Sequence, residues 1–353
     1  MPQTKEVVAT VVTAPFATTR RGVLKALGAV TLASPFLTLG GNAWAQAGAS
    51  LKFAWNQNAF CFTPVAVAQE TGIFNRNGLD ISFVNYAGST DQLLEALATG
   101  KADAAVGMTH RWLKSLESGF DVKVVAGLHG GCERLIAYKP SGITKLADLR
   151  GKTIGVPNLS DPGKHFFSAY LKRNGIDPDR EVSWLAYQPD LLGLAAEKGE
   201  IHALATSDPL LYQIEKDSKG AYLELATNTS PPYHDKTCCI LGVGGVLLRD
   251  NRAAVAALAR SLVEAYEWTA AHIDDAAQIF HKYTTKISLD ELRQFYKQLT
   301  LHEHPTGTAL RDQIAFYAQD FKDLGVLKPG TDSRRFAEHI TVSVLDEPHR
   351  HGH

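Results

Sequence analysis

The sequence predicts an α/β protein built in two lobes, on three observations. From Leu51 onward the chain reads strand, helix, strand, helix, the alternation that builds α/β layers. A Gly-Lys-Ala-Asp-Ala turn at residues 100–104 has a looser counterpart around Gly199-Glu200-Ile201-His202-Ala203, and each follows a strand, a capped turn and a helix. Setting aside a 45-residue N-terminal address leaves 308 of the 353 residues, more than one compact core usually holds.

The address has three parts. Arg20 and Arg21 form a pair within Thr-Arg-Arg-Gly-Val-Leu-Lys, a mildly apolar run over 26–39 is broken by Pro35, and Ala43-Trp44-Ala45 supplies small residues for cleavage. The apolar run is shorter than the roughly 20 residues a membrane span needs. Residues 1–45 therefore read as a twin-arginine export signal, and the mature chain is expected in the periplasm as a soluble protein. The other reading is a basic anchor that stays attached, and no cysteine follows the cut to carry a lipid. Cleavage removes Lys5, Arg20, Arg21, Lys25 and Glu6, a net +3, which takes the charge from −1 to −4. Such a balance gives no reason to expect nucleic acid as a partner.

The elements follow in order. Leu51 to Trp55 alternate as a strand, Asn56-Gln57-Asn58 form a polar turn, and a helix from Pro64 ends near Gly72. A second strand covers 79–84, and Ser89, Thr90 and Asp91 cap a helix carrying Leu93, Leu94 and Leu97. Apolar strands at 122–128 and 135–138 lead into Pro140-Ser141-Gly142, read as a first crossing between lobes. The stretch 153–165 is a short strand with Ile154 and Val156 feeding a helix, with Ser160 or Asp161 as cap and Pro162 in its first turn. A helix N-terminus at a strand's carboxyl end is an anion site in waiting. Ser207-Asp208-Pro209 repeats Ser160-Asp161-Pro162, and a glycine-rich return strand begins at Cys239. Residues 251–327 are mostly helical, with a capping box at Ser288 and Glu291. Trp268, Phe280, Phe295, Tyr296 and Phe316 sit at helical spacing and read as core or surface cover. His349, His351 and His353 fall in a tail, 346–353, read as solvated although it could chelate metal.

Residues 65–74 (VAVAQETGIF), Gly78-Leu79-Asp80, the Gly-Lys-Ala-Asp-Ala turn, residues 146–156 (LADLRGKTIGV) and residues 195–205 together resemble the nitrate/sulfonate/taurine group of ABC-transporter solute-binding proteins, over about residues 51–345. The resemblance implies a periplasmic binding protein fold. Two α/β lobes would be joined by a hinge of crossing strands and close on a small solute. Lobe one is assigned to 47–138 plus 240–345 and lobe two to 139–239. The implied partners are an ABC permease and its ATPase in the inner membrane, with the binding protein a monomer that performs no chemistry. A neighbouring branch comprises the thiamine-pyrimidine-precursor proteins, both bacterial binders and a eukaryotic synthase. That synthase has a cysteine cluster near the return strand and a histidine just after the Gly-Lys-x-Asp turn. Cys238-Cys239 and His110 fall at comparable places here, but the cysteine run is shorter and no lysine lies between Asp103 and His110 to form a Schiff base.

The cleft should be lined from the carboxyl ends of strands. Lobe one offers Trp55, Asn56, Gln57, Ser89, Thr90, His110 and Glu133; lobe two offers Asn158, Ser160, Asp161, Gly163 and Asp208. Backbone N–H groups near 89–91 and 160–163 could hold an oxyanion, although an Asp and a Glu nearby would repel one. Cys61, Cys132, Cys238 and Cys239 all fall where segments approach the hinge. They read as inert buried thiols, as one or two disulfides, or as a soft-metal site drawing also on His110 or His129. The function expected is capture of a small polar solute, an oxyanion such as nitrate or a sulfonate, with no cofactor beyond that conceivable soft metal. The alternatives are a thiamine-pyrimidine-type heterocycle stacked on Trp55 or another aromatic, and a metal-dependent sensor or enzyme using the cysteines and histidine.

Overall fold

The structure, a computed structural model, describes residues 48–86, 90–284 and 287–345. The segment expected to be an export signal, Ser89, the side chain of Thr90 and the histidine-containing tail lie outside that description. The chain runs β1 (Ala49–Trp55), α1 (Thr63–Glu70), α2 (Ile73–Arg76), β2 (Leu79–Asn85), α3 (Thr90–Ala98), β3 (Ala104–Met108), α4 (Thr109–Glu117), β4 (Val122–His129) and β5 (Glu133–Tyr138). Next come β6 (Lys152–Val156), α5 (Pro162–Arg173), β7 (Val182–Ala186), α6 (Leu192–Glu197), β8 (Ala203–Ser207), α7 (Leu210–Asp217), β9 (Tyr222–Thr227) and β10 (Cys239–Gly244). Helices close the chain: α8 (Gly245–Asp250), α9 (Arg252–Ala271), α10 (Ile273–His281), α11 (Leu289–Gln298), α12 (Gly307–Asp323) and α13 (Ser333–Ile340). No helix among the described residues is long and apolar enough to cross a membrane.

The strands form two sheets on one plan, β2-β1-β3-β10-β4 and β7-β6-β8-β5-β9. In each, three parallel strands are followed by one antiparallel strand that the chain delivers by crossing over, β10 in the first sheet and β5 in the second. Hence the repeated turns at Gly100 and Gly199 each precede the third strand of a sheet, β3 or β8. The crossing differs from its expected place. β5 pairs with β8 and β9 rather than with the first sheet, so the chain changes lobe at Gly130 to Cys132 and not at residues 138–142. Gly131 makes that crossing feasible: its φ is +94°, and a Cβ there would stand 2.4 Å from the carbonyl oxygen of Gln298.

Local chemistry explains the elements that aim the site. At the start of α5 the Asp161 side chain accepts the Gly163 N–H at 2.9 Å, with Pro162 in the first turn. At α11, Ser288 and Glu291 cap each other reciprocally, the arrangement that satisfies two orphan donors at once. β3 is small-residued because the Trp112 ring lies across it: a Cβ on Gly107 would sit 1.9 Å from that ring. Phe280, Phe295 and Tyr296 are fully buried in the large core that runs beneath both sheets, whereas Trp268 and Phe316 pack at its edge.

Candidate functional site

A cavity of about 250 Å³ opens where the carboxyl ends of the two sheets meet. The first sheet's side supplies Asn56, Ala59, Cys61, Phe62, Val106, Gly107, Met108 and Arg111; the second side supplies Asn158, Asp161, Pro162, Ser207 and Asp208. Cys132 from the first crossing and Cys239 from the start of β10 complete its floor.

Asn56, Asn158, Asp161 and Asp208 thus line the cavity, together with three of the four cysteines, while other expected residues point elsewhere. Trp55 is buried against Phe83, ring centroids 4.5 Å apart, with Tyr283 edge-on at 5.0 Å. It packs under its own sheet and offers no platform to a solute. Gln57 sits in the turn beside it, with its N–H bonded to Asn85. Ser160 turns outward and donates its hydroxyl to Asn158 at 2.8 Å, because Asp161 has taken the capping role. Gly163 is walled off by the Thr206 backbone, 2.7 Å from where its Cβ would be. Two others, His110 and Glu133, are buried beside each other behind the cavity, Nδ1 to Oε2 3.7 Å. His110 packs edge-on against Phe166 and Tyr317, and burial pulls its imidazole down to about 4. Burial likewise drives the Glu133 carboxyl well above the usual range.

Arg111 is the principal residue the sequence reading missed. A helix turns about 100° per residue, so the step from His110 to Arg111 exchanges a core position for a cleft position. Its guanidinium contacts Asp91, Nε to Oδ2 2.6 Å. Burial raises Asp161 to about 6 against the opposing bonds from Gly163 and Thr206. It raises Asp208 to about 6 as well, here against the pull of Arg134. The lining is therefore mixed: an apolar side of Ala59, Phe62, Val106, Met108 and Pro162 faces amides, a hydroxyl, two readily protonated carboxyls and one guanidinium. The anion site expected at the start of α5 is filled by the protein itself, since the Asp161 carboxylate occupies the position an oxyanion would take.

Three of the cysteines converge, and the fourth member of the group is His129 rather than Cys61 or His110. The ligand atoms of His129, Cys132, Cys238 and Cys239, all buried, lie within 4.8 Å of one another. The four cysteines are free thiols, with Cys132 Sγ 2.9 Å from Cys238 Sγ and Cys238 Sγ 3.8 Å from Cys239 Sγ. Burial works against a thiolate at Cys238, yet its contacts with the Cys132 and Cys239 thiols hold it well below the usual thiol range. Its two neighbours move the opposite way, raised by their contacts with Cys238 and by burial.

With this geometry in place, comparison with known proteins gives a consistent family. A family model described as NMT1/THI5 like matches residues 59–276, more than half of the chain. The chain belongs to the NMT1/THI5-like family. Among its relatives is a Brucella abortus (strain 2308) protein described as a binding protein, 28% identical over 286 residues that cover 78% of this chain and 87% of that one. The two-lobed architecture of this NMT1/THI5-like chain is shared with solved periplasmic binding proteins. The alkanesulfonate-binding protein SsuA from Xanthomonas axonopodis pv. citri superposes with a TM-score of 0.67 at 16% identity, covering 84% of this chain and 98% of that one. The nitrate-binding protein NrtA from Synechocystis PCC 6803 gives 0.64 at 14% identity, covering 83% and 86%. Identities this low carry the fold and not the ligand.

Proposed function

We propose that the protein is the exported solute-binding component of an ABC importer, holding its solute between the two lobes and presenting the closed form to a permease and ATPase of the inner membrane. The observation that carries this reading is the cavity lined from both sheets at once. A ligand touching both lobes stabilises the closed state by its differential contacts. Membership of the NMT1/THI5-like family, the binding-protein fold and the paired arginines of the N-terminal segment support it.

The lining favours a compact organic solute with one apolar face and hydrogen-bond donors, the chemistry of an aminopyrimidine-type heterocycle. Asp161, Asp208, Asn56, Asn158 and Ser207 can accept from such donors, while Phe62, Val106 and Met108 cover the ring. A bare oxyanion meets two carboxyls and a single guanidinium that Asp91 already engages. Arg111 nevertheless supports a second reading, in which a sulfonate or nitrate is anchored on that guanidinium.

A thermal-shift screen of the mature protein at pH 7 separates the two, because a ligand binding only the folded state raises its stability, by about 2.7 kcal/mol at a hundredfold excess over Kd. Aminopyrimidines should raise Tm, and Asp208→Asn should weaken that effect more than Arg111→Met does. A shift with nitrate, taurine or alkanesulfonates alone, abolished by Arg111→Met, would replace the heterocycle reading with the anion reading.

A further inference from the structure

The thiols at the cavity floor are held by the sheet rather than by chance proximity. Cys239 stands in register with Met108 on β3 and with His129 on β4. Cys238 donates its N–H to the His129 carbonyl at 2.9 Å, and its own carbonyl accepts the Thr109 N–H at 2.7 Å. On the crossing segment, the Cys132 carbonyl accepts the Asp208 N–H at 3.1 Å. Three separate stretches of chain are thereby pinned so that one imidazole and three sulfurs face a common point, all four groups buried and within 4.8 Å of one another.

His129 supplies an independent sign of a ligand. Its Nδ1 is 3.2 Å from the Gly130 carbonyl, while Nε2 is buried with no hydrogen-bond partner. A proton on Nδ1 leaves a lone pair on Nε2, and a buried acceptor left unpaired costs about 1–3 kcal/mol. Imidazoles that bind metals are oriented in this way, one nitrogen on a backbone carbonyl and the other on the ion. Inert thiols would leave Nε2 unexplained. A Cys132–Cys238 disulfide would leave both Nε2 and Cys239 without a role.

We propose that His129, Cys132, Cys238 and Cys239 bind a soft d10 cation, zinc(II) or copper(I), at the floor of the cleft. Tetrahedral zinc with Zn–S distances near 2.3 Å sets sulfurs about 3.8 Å apart, and Cys238 and Cys239 already stand at 3.8 Å. Thiolate and imidazole donors without a carboxylate select soft ions over magnesium or calcium. Binding would release the remaining thiol protons to solvent, with no change of oxidation state. Cys61 and Cys239 line the cavity beside the ion, so a solute in the cleft would meet the metal site from above. This inference is independent of the proposed solute, and the experiment is run without one.

Fully reduced mature protein is titrated with zinc(II) and with copper(I) against chromophoric chelators, and with cobalt(II) as an optical probe of thiolate ligation. One equivalent of zinc or copper per chain is expected, with a sulfur-to-cobalt charge-transfer band and a rise in Tm on adding the ion. Cys132→Ser and Cys238→Ser should each weaken zinc at least about 100-fold, more than loss of an outer-shell partner does, while circular dichroism stays that of the wild type. Wild-type protein that competes no better than the Cys132→Ser/Cys238→Ser/Cys239→Ser variant, or that shows no metal-dependent rise in Tm when fully reduced, overturns the proposal. The wild-type measurements decide the matter even where a serine variant fails to fold.

Discussion

Asp161 and Gly163 close the N-terminus of α5 on themselves: Oδ1 accepts the Gly163 N–H at 2.9 Å while Oδ2 accepts the Thr206 hydroxyl at 3.2 Å. A site that resembles an anion cradle in sequence is thus an internally satisfied cap facing the cleft. Asp161→Ala should cost about 1 kcal/mol of stability, the usual value of a lost N-cap, whereas Asp161→Asn keeps the cap and should cost little. Both values follow from urea titration.

The same carboxyl gives a pH dependence with a defined sign. Its folded pKa is raised by burial from 3.8 to about 6, so the folded state holds a proton that the unfolded state has lost. The contribution to stability is present below about pH 4 and is lost as pH rises through about 6. Melting temperatures of Asp161→Asn and the wild type should therefore converge at pH 4 and separate in favour of the variant by pH 7. A constant difference across that range would show that Asp161 is ionised throughout.

Gly107 allows Trp112 to lie flat across β3, and an added Cβ would be 1.9 Å from the indole. Overpacking of this kind in a fully buried core costs about 1–3 kcal/mol. Gly107→Ala should lower the urea midpoint accordingly, and it should also disturb solute binding, because Gly107 and Met108 line the cavity.

The alternation of strands and helices, the α5 and α11 caps and the duplicated turns were legible because each rests on local chemistry: side-chain periodicity, a capping oxygen, a glycine after a helix. The lobe boundary was less so. Residues 133–138 form an apolar strand under either pairing, and only hydrogen bonding to β8 and β9 assigns it. For cleft residues the deciding quantity is rotation about an element, which separates Arg111 from His110 and Asp161 from Ser160 without any compositional signal. The convergence of His129 and Cys132 with Cys238 and Cys239 depends on two crossings and on strand register, neither of which spacing along the chain encodes.

Glu291 joins α11 to α7 through Lys216, Oε1 to Nζ 2.8 Å, and also accepts the Ser288 N–H at 2.7 Å. Although burial opposes it, these partners bring its pKa from 4.5 to about 2. The stabilisation is therefore present above about pH 4.5 and is lost as pH falls through about 2. Glu291→Gln should be less stable than the wild type at pH 6, with the difference vanishing by pH 2. A thermal-unfolding series in buffers from pH 6 to 2 would read this directly.

A second tie between the lobes runs from α5 to α12, which packs against β4 of the first sheet. Arg173 donates to Asp320 with Nε to Oδ1 2.6 Å, and the Tyr233 hydroxyl donates to the other oxygen at 2.7 Å. The guanidinium also lies over Phe316, 4.2 Å from the ring centre. Asp320 is buried, so removing the arginine strands a carboxylate that keeps only a tyrosine partner, at a cost of about 1–3 kcal/mol. Asp320→Asn needs no cation and should tolerate the loss, so the Arg173→Ala/Asp320→Asn double variant should be more stable than Arg173→Ala alone. Because the pair bridges lobes, Arg173→Ala should also shift the solute-free protein toward open forms and lower solute affinity through that population change. Small-angle scattering would then give a larger radius of gyration without solute and a wild-type value at saturation. An unchanged radius together with the stability loss would confine Arg173 to packing and leave closure to the solute.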